Sequence, residues 1–563
     1  MVQLLNRQSQ IVSPWLAGIL CIQFALLLYQ AYRWSPVYDE WGQLPAGLHS
    51  LRTGDQSPYS VNPPLVRYCA AAVVYPFTKP FSVALQTPRP EWKLGDDFEA
   101  VHGLGCYRLF FIGRSVIVAV TLAGTILLWF VLRDLYNELA ATTGAALWAF
   151  SPTALTFGVL IVPDMPLTVL GFAATAFTVR LIQRPSWDRV YIACFVHALA
   201  FLCKTSWVIV LVVGFVTAVC LVVGNSLHQR KIHWVAFGKI GAGSLVIWLV
   251  VCTAYEFKGL FTRLGDFPFQ SSALRSETKT ELNRFSGTVF ESIPVPLPYH
   301  LLIGLDIQKT DFESKMPSYF MGTWRDHGWY QYYVVAWLLK EPPVFWLLVL
   351  LGGLKGGWLR RDEWLLVAPG LVILGFVSSQ TGFNHHLRYT LPVFPALVIF
   401  AVRWLRPISF HRAVAFSLVS VYVLSMVSVY PRTYCYFTEL VGGASQGWRY
   451  LGDSNLDWGQ DMRTVHEWLQ RNPDKQPVLG FRSTPFGNSL HPYVIKPAVQ
   501  SCVELDGVCY PKEAGWWLMP KRAFIENSSE WFRKQPASEV LSLTYSVHYI
   551  DQSMIDGIEM PMR

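Results

Sequence analysis

Two adjacent carboxylates, Asp39 and Glu40, stand in Val37-Tyr38-Asp39-Glu40-Trp41-Gly42, just past an apolar run that ends near Tyr32. Such a pair is either an ordinary solvated loop or a functional pair held at a fixed depth. Its neighbours favour the second reading. Leu44, Leu48 and Leu51 recur at helical spacing, so 38–51 is expected to form an amphipathic helix lying flat at an interface. Asn62-Pro63-Pro64-Leu65 then signals a turn, and the apolar run 65–77 is too short to span a bilayer. A third acid, Asp164, lies between two prolines in Val162-Pro163-Asp164-Met165-Pro166. An ionisable residue at the end of an apolar run is a functional candidate, and Asp beside Pro is also common helix-start chemistry; one residue can do both.

Cations recur at comparable positions. Arg108 and Arg114 open an apolar segment, Lys204 links two others, Lys340 precedes Glu341-Pro342-Pro343, and Asn384-His385-His386-Leu387-Arg388-Tyr389 precedes another. Each alone reads as a snorkelling interface residue. Together, with few acids, they suit a phosphate or diphosphate headgroup. Lys340 needs a partner if it lies within the bilayer, and Glu341 beside it is the nearest in sequence. Glu99 and His102 at i, i+3 spacing, with His385, are weak ligands for a divalent metal such as zinc. The string Asp453-Ser454-Asn455-Leu456-Asp457-Trp458-Gly459-Gln460-Asp461 begins like a calcium loop. It lacks the glycine (Trp458) and the final glutamate (Thr464) that such a loop needs, so it is read as a structural turn into a helix over 460–471.

These residues need elements to hold them, and the composition says which kind. Only 15% of the 563 residues are charged and 52% are hydrophobic, against about 25% charged in soluble proteins. The 23 Trp and 25 Tyr suit many membrane interfaces. The chain is therefore expected to be a polytopic α-helical membrane protein. Apolar runs of about 20 residues fall near 14–32, 110–132, 140–160, 163–181, 189–203, 205–224, 234–255, 331–354, 364–380, 390–405 and 412–430, about eleven spans. The first has no small-residue cleavage site after it and reads as a retained anchor. With the N-terminus inside, the short inner loops receive Arg7, Arg133, Arg180, Arg184, Arg189, Arg230, Lys231, Lys355, Arg360, Arg361, Arg403, Arg406 and Arg412, as the positive-inside rule requires. The net charge of +8 thus reports topology; no nucleic-acid motif occurs and no nucleic-acid partner is expected. This threading puts 33–109, 256–330 and 431–563 outside the cell (inner) membrane, with the site and C-terminus extracytoplasmic. The chain divides into a transmembrane part, 1–430, and a small α/β domain, 431–563, with a strand near 477–481. Cys502 and Cys509 are expected to pair on that oxidising side, and Asn527-Ser528-Ser529 is a formal glycosylation acceptor. The tail is read either as binding acceptor or helping to close the site, or as a passive cap.

A first apolar segment, then an outer loop opening with Asp39-Glu40, then Asn62-Pro63-Pro64-Leu65, resembles the GT-C membrane glycosyltransferases. The closest likeness is to the protein O-mannosyltransferase and aminoarabinose-transferase group, bacterial branch. Ile293-Pro294-Val295-Pro296-Leu297-Pro298, Gly304-Leu305-Asp306, Lys340 before Pro342, Arg388-Tyr389-Thr390-Leu391-Pro392 and the 453–461 string agree with it, so the resemblance covers most of 30–470. It implies a polyprenyl-phosphate sugar donor, membrane lipid around it, and an acceptor hydroxyl that no motif identifies. It also implies that Asp39, with Glu40, serves as general base or orients the acceptor, and that Asp164 is the family's second acid, placing acceptor or a divalent ion. Arg114, Lys204, Lys340 and Arg388 are the candidates for the donor phosphate. From another class, a transporter or flippase of a lipid-linked sugar would share the helices and buried charges. No internal repeat of the kind transporters show is visible.

Overall fold

The computed structural model describes residues 13–81, 90–276, 283–406, 412–479, 501–505, 508–525 and 530–558. Asn527, Ser528 and Ser529 lie outside the described residues, as does the end of the strand expected near 477–481. Among the described residues helices dominate. Seven are long and apolar enough to cross a membrane, or up to eight if a bent pair counts as one. The seven are Pro14–Arg33, the last part of Pro90–Leu135, Asp164–Gln183, Thr205–His228, Trp234–Ala254, Arg361–Ser379 and Leu387–Leu405.

The other expected spans are helical but interrupted or short. The segment 140–160 divides into Glu138–Ala149 and Pro152–Phe157. Pro152 has no N–H to continue the ladder, and Ser151 caps the new helix by accepting from Ala154 N at 3.0 Å. The segment 331–354 bends by 114° between Tyr332–Lys340 and Pro343–Lys355, where Glu341-Pro342-Pro343 breaks the hydrogen-bond ladder. Trp187–Cys203 and Arg412–Val427 are helices of 17 and 16 residues, short of the usual span of about 20.

The interfacial expectations hold in part. Residues 38–51 lie in the helix Tyr38–Thr53, in which Leu44 and Leu48 are buried but Leu51 is exposed. Glu40 accepts from the N–H of Val37 at 2.9 Å, which satisfies one of the donors a helix start leaves open. Gly54, at φ 73°, ends the helix in the left-handed conformation that favours glycine. Leu65–Val74 and the turn Tyr75–Phe77 form the second short element.

Charge sorts the bundle into two ends. At one end, Arg180 pairs with Asp134, Arg360 bonds the carbonyl of Leu135, and Gln183 bonds Asp362. Here the fully buried Glu363 gathers Arg406, Arg403 at 3.4 Å, the Tyr136 hydroxyl and the N–H of Arg360. At the other ends of the same helices stand Arg114, Asp164, Phe376 and Arg388. Arg180, Arg360, Arg403 and Arg406, expected in inner loops, thus share one end, and Arg114, Asp164 and Arg388 share the opposite one.

Beyond residue 431 the chain runs as short 3₁₀ turns whose Tyr434, Phe437, Leu451, Leu456 and Trp458 join the main core. From Met462 onward separate cores form, around the helix Met462–Arg471 and a four-stranded sheet. The sheet runs in the order Val478–Leu479, Gly515–Pro520, Tyr545–Ile550, Glu539–Val540, with only the first pair parallel. Cys502 and Cys509 form a disulfide across a neighbouring hairpin.

Glu363→Ala should cost about 3–5 kcal/mol of stability, because it leaves buried arginines without their counter-ion. Asp134→Ala, which severs the largely exposed Arg180 pair, should cost under about 1 kcal/mol. Thermal unfolding of both variants in one detergent or nanodisc checks the contrast.

Candidate active site

The helices Tyr38–Thr53 and Cys106–Leu135 are joined by a buried ion pair. Arg114, 1% exposed, donates to both carboxylate oxygens of Glu40, at 2.9 and 2.5 Å. Its remaining N–H groups go to the carbonyls of Ala31, Trp34 and Ser35 at 2.8–2.9 Å. Glu40 also accepts from Ile161 N at 2.9 Å. Both residues have full sets of protein partners and neither lines the large cavity described below. This corrects two expectations: Arg114 has no donor left for a phosphate, and Glu40 is a structural anchor with no oxygen open to substrate.

Asp39, one residue earlier, turns the other way. Its carboxylate accepts from Arg388 Nη2 at 2.7 Å, while Arg388 Nη1 donates to Asp164 at 3.1 Å. Lys204 donates to the other oxygen of Asp164 at 2.7 Å. Asp39, Asp164, Lys204 and Arg388 are thus one network of two acids and two cations, drawn from four separate parts of the chain. Asp164 begins its helix, as Asp near Pro should. Tyr389 lies beneath both cations, with Lys204 Nζ 4.6 Å and the Arg388 guanidinium 5.2 Å from its ring centre. The indole of Trp458 is 4.4 Å from the same guanidinium. Arg388 Nε has no hydrogen-bond partner among the described residues, so one buried donor remains for an anion.

Lys340 is buried at the bend but takes a different part from the one expected. It donates to the carbonyls of Tyr434 at 2.8 Å and Asn455 at 2.7 Å, and borders a separate small cavity of about 20 Å³. Glu341 does not pair with it; that carboxylate accepts from Ser151 and Tyr422 at 2.6 and 2.7 Å. By fixing Asn455, Lys340 acts at a distance. The Asn455 side chain accepts from Leu387 N and donates to the carbonyl of His385, at 2.9 and 2.7 Å, which sets the backbone beside Arg388.

The weak metal ligands are not brought together. His102 accepts from Lys79 N at 3.0 Å and its other ring nitrogen lies 2.9 Å from the Phe98 carbonyl, while His385 sits 3.3 Å from Asp453. Among the described residues no three His, Cys, Asp or Glu side chains group as metal ligands do.

Asp39, Lys204 and Arg388 line a cavity of about 870 Å³, within the size range of ligand sites. One side is apolar, with Val208, Phe312, Phe376 and Phe383; another is polar, with Asp453, Asp457 and Arg522. Arg522, Pro520 and Tyr545 come from the C-terminal sheet region, so the tail supplies part of the cavity lining. Sequence reading took the 453–461 string for a turn and passed over Arg522. The string's unusual length was the available sign for Asp457, and nothing local marks Arg522. His386, also on the wall, is held neutral, well below its ordinary range, by burial and by the nearby charge of Arg388.

Comparison with known proteins comes in at this point. Residues 110–252 match the family model described as dolichyl-phosphate-mannose-protein mannosyltransferase. Asp164 and Lys204 fall within that stretch, Asp39 and Arg388 outside it. No curated protein sequence matches the chain. Among solved structures, ArnT from Cupriavidus metallidurans bound to undecaprenyl phosphate aligns at 13% identity with a TM-score of 0.43, over 98% of this chain and 100% of that one. The same protein in its apo state aligns at 12% identity and a TM-score of 0.41, over 97% and 99%. The chain resembles the GT-C membrane glycosyltransferases, in the motifs along 30–470 and in the family model over 110–252.

The Asp457 carboxyl is pushed up to about 6 by burial, opposed by the Gly459 N–H and Arg522 and reinforced by Asp461 and Asp453. Tyr434, Cys435 and Tyr545 also face it. The penalty for burying its charge is absent below the ordinary carboxyl range and complete above about pH 6. Asp457→Asn should therefore raise the unfolding midpoint by a few degrees near pH 8 and match wild type near pH 4. Thermal scans across that range give the answer.

Proposed function

We propose that this chain is a GT-C-type glycosyltransferase that moves a sugar from a polyprenyl-phosphate donor to an acceptor hydroxyl at the outer face of the membrane. One observation carries the reading: a partly exposed carboxylate, Asp39, faces a large cavity while tied through Arg388 to Asp164 and Lys204. One Asp39 oxygen is bonded to Arg388, and the other has no hydrogen-bond partner among the described residues. That oxygen serves as general base.

In this mechanism the acceptor oxygen bonds to the anomeric carbon as the bond from that carbon to the phosphate oxygen breaks. The hydroxyl proton passes to Asp39, an assistance of roughly 10²–10⁴-fold. The leaving group departs as a stable phosphate anion, so it needs cations and no general acid. Lys204 and the open Nε–H of Arg388 supply them. Asp164 holds both cations in place. The apolar side of the cavity, at Val208 and Phe376, suits the first units of a polyprenyl chain; Phe376 is partly open to the surroundings. The gathering of inner-loop arginines at the far end of the bundle supports an outward-facing site, by the positive-inside rule.

Purified protein should transfer radiolabelled sugar from a synthetic polyprenyl-phosphate donor, and Asp39→Asn should lose at least about 100-fold of that rate while keeping its unfolding midpoint. Full activity in the variant would remove the base. Donor crossing a liposome bilayer without turnover would favour a transporter instead. Accessibility labelling of a C-terminal tag should find it outside intact cells, and labelling only after lysis would overturn the outward placement.

A further inference from the structure

The loop 453–461 is tied to the segment that carries Asp39. Ser35 N donates to the carbonyl of Gln460 at 2.9 Å, and Tyr38 N to that of Trp458 at 3.1 Å. Inside the loop Trp458 N donates to the Gln460 side chain at 2.8 Å, and Gly459 turns at φ 95°, where a side chain would be strained. Four bonds or constraints of this kind hold the loop's side chains in one frame with the base.

Asp457 is the odd member of that frame. It is 4% exposed and lines the cavity. One carboxylate oxygen accepts from Gly459 N at 2.9 Å; the other has no hydrogen-bond partner among the described residues. Its neighbour Asp453 is already engaged by Arg522 at 2.8 Å and by His385 at 3.3 Å, so no cation is left to neutralise Asp457 by direct contact. That second oxygen of Asp457 is not sealed in the interior but open to the cavity, where a ligand hydroxyl can donate to it. Arg522, with its side chain 39% exposed, lines the same cavity.

The geometry points to this wall, Asp457 with Arg522, as the receptor for the hydroxyl groups of the sugar being transferred. The inference rests on the transferase reading above and names what that site holds. A neutral polyhydroxylated ring offers O–H donors to Asp457 and oxygen acceptors to Arg522, and brings no charge to a network already balanced at Asp39, Asp164, Lys204 and Arg388. The donor sugar is favoured over the acceptor by position. Trp458, next to Asp457, has its ring 4.4 Å from the Arg388 guanidinium, and Arg388, Asp457 and Arg522 line one cavity, so a sugar bonded to a phosphate at Arg388 occupies the space this wall borders.

The test is equilibrium binding to the full-length protein in nanodiscs, with two probes: undecaprenyl phosphate, and the undecaprenyl-phosphate sugar that wild type turns over. Asp457→Asn keeps the volume and the bond from Gly459 but turns the open acceptor into a donor. Arg522→Ala removes a partly exposed side chain with little risk to folding. Each variant should weaken the sugar-bearing lipid about tenfold, the effect of losing one hydrogen bond to a charged group. Each should bind undecaprenyl phosphate within about twofold of wild type. Equal weakening of both lipids would mean a structural role and overturn the inference. So would unchanged binding of the sugar-bearing lipid with only a raised KM for acceptor. If wild type turns over none of a panel of sugar-bearing lipids, the transferase reading itself falls, and this one with it.

Discussion

A guanidinium out of water needs a partner for every N–H, and Arg114 meets that need only if three parts of the chain come together. The end of the first helix supplies three carbonyls, the start of the next supplies Glu40, and the pair sits at the top of Cys106–Leu135. Glu40 then reaches the backbone of Ile161, three residues before Asp164. A buried ion pair of this kind adds little net stability, but removing one partner is severe. Its effect here is to fix geometry. With Glu40 locked inward, the helix turn sends Asp39 toward the cavity, and the tie at Ile161 sets Asp164 near it. The two adjacent carboxylates thus have opposite tasks, and the closed one makes the open one useful.

What separates the two tasks is the number of partners. Arg114, Glu40, Glu341 and Glu363 have their carboxylate oxygens or guanidinium groups taken up largely by protein, as structural charges in a low-dielectric interior must. Arg388 is different. It bridges two acids and still has an unused N–H. Asp39 and Asp457 each keep an open oxygen. Where such residual capacity belongs to residues that line a cavity of ligand size, a ligand can complete the set. By that measure Lys340, the most conspicuous buried lysine in the sequence, is a brace, and its influence on the site passes through Asn455 to the backbone beside Arg388.

The membrane class, most of the helices, the short elements after Asp39 and the pairing of Cys502 with Cys509 were legible in the sequence because each has a local signal: apolar length, helical spacing, turn residues or close cysteines. So were Asp39, Asp164, Lys204 and Arg388 as residues of interest, since charges at the ends of apolar runs are conspicuous. Which charges meet was not legible. Arg388 lies 349 positions from Asp39, and no local pattern records that pairing. Glu40 and Arg114 were misread for the same reason, because the carbonyls that occupy Arg114 belong to backbone, which carries no sequence signature. Continuous spans were expected over 140–160 and 331–354 because hydropathy is blind to what Ser151-Pro152 and Pro342-Pro343 do to the hydrogen-bond ladder.

The breaks in those helices are part of the same design as the site. A straight helix through 331–354 would carry Lys340 past the loop it braces; the bend at Pro342 leaves its ammonium group among the carbonyls of Tyr434 and Asn455. The segment after the last helix can then fold back over the bundle and join its core at Tyr434, Phe437 and Trp458. That return brings Asp453, Asp457 and, from still further along the chain, Arg522 to the cavity that holds Asp39. A cavity walled on one side by helix ends and on the other by a folded-back loop has its charges set by long-range ties. The proposed sugar wall then lies beyond residue 431, apart from the helices that carry Asp39, Asp164 and Arg388.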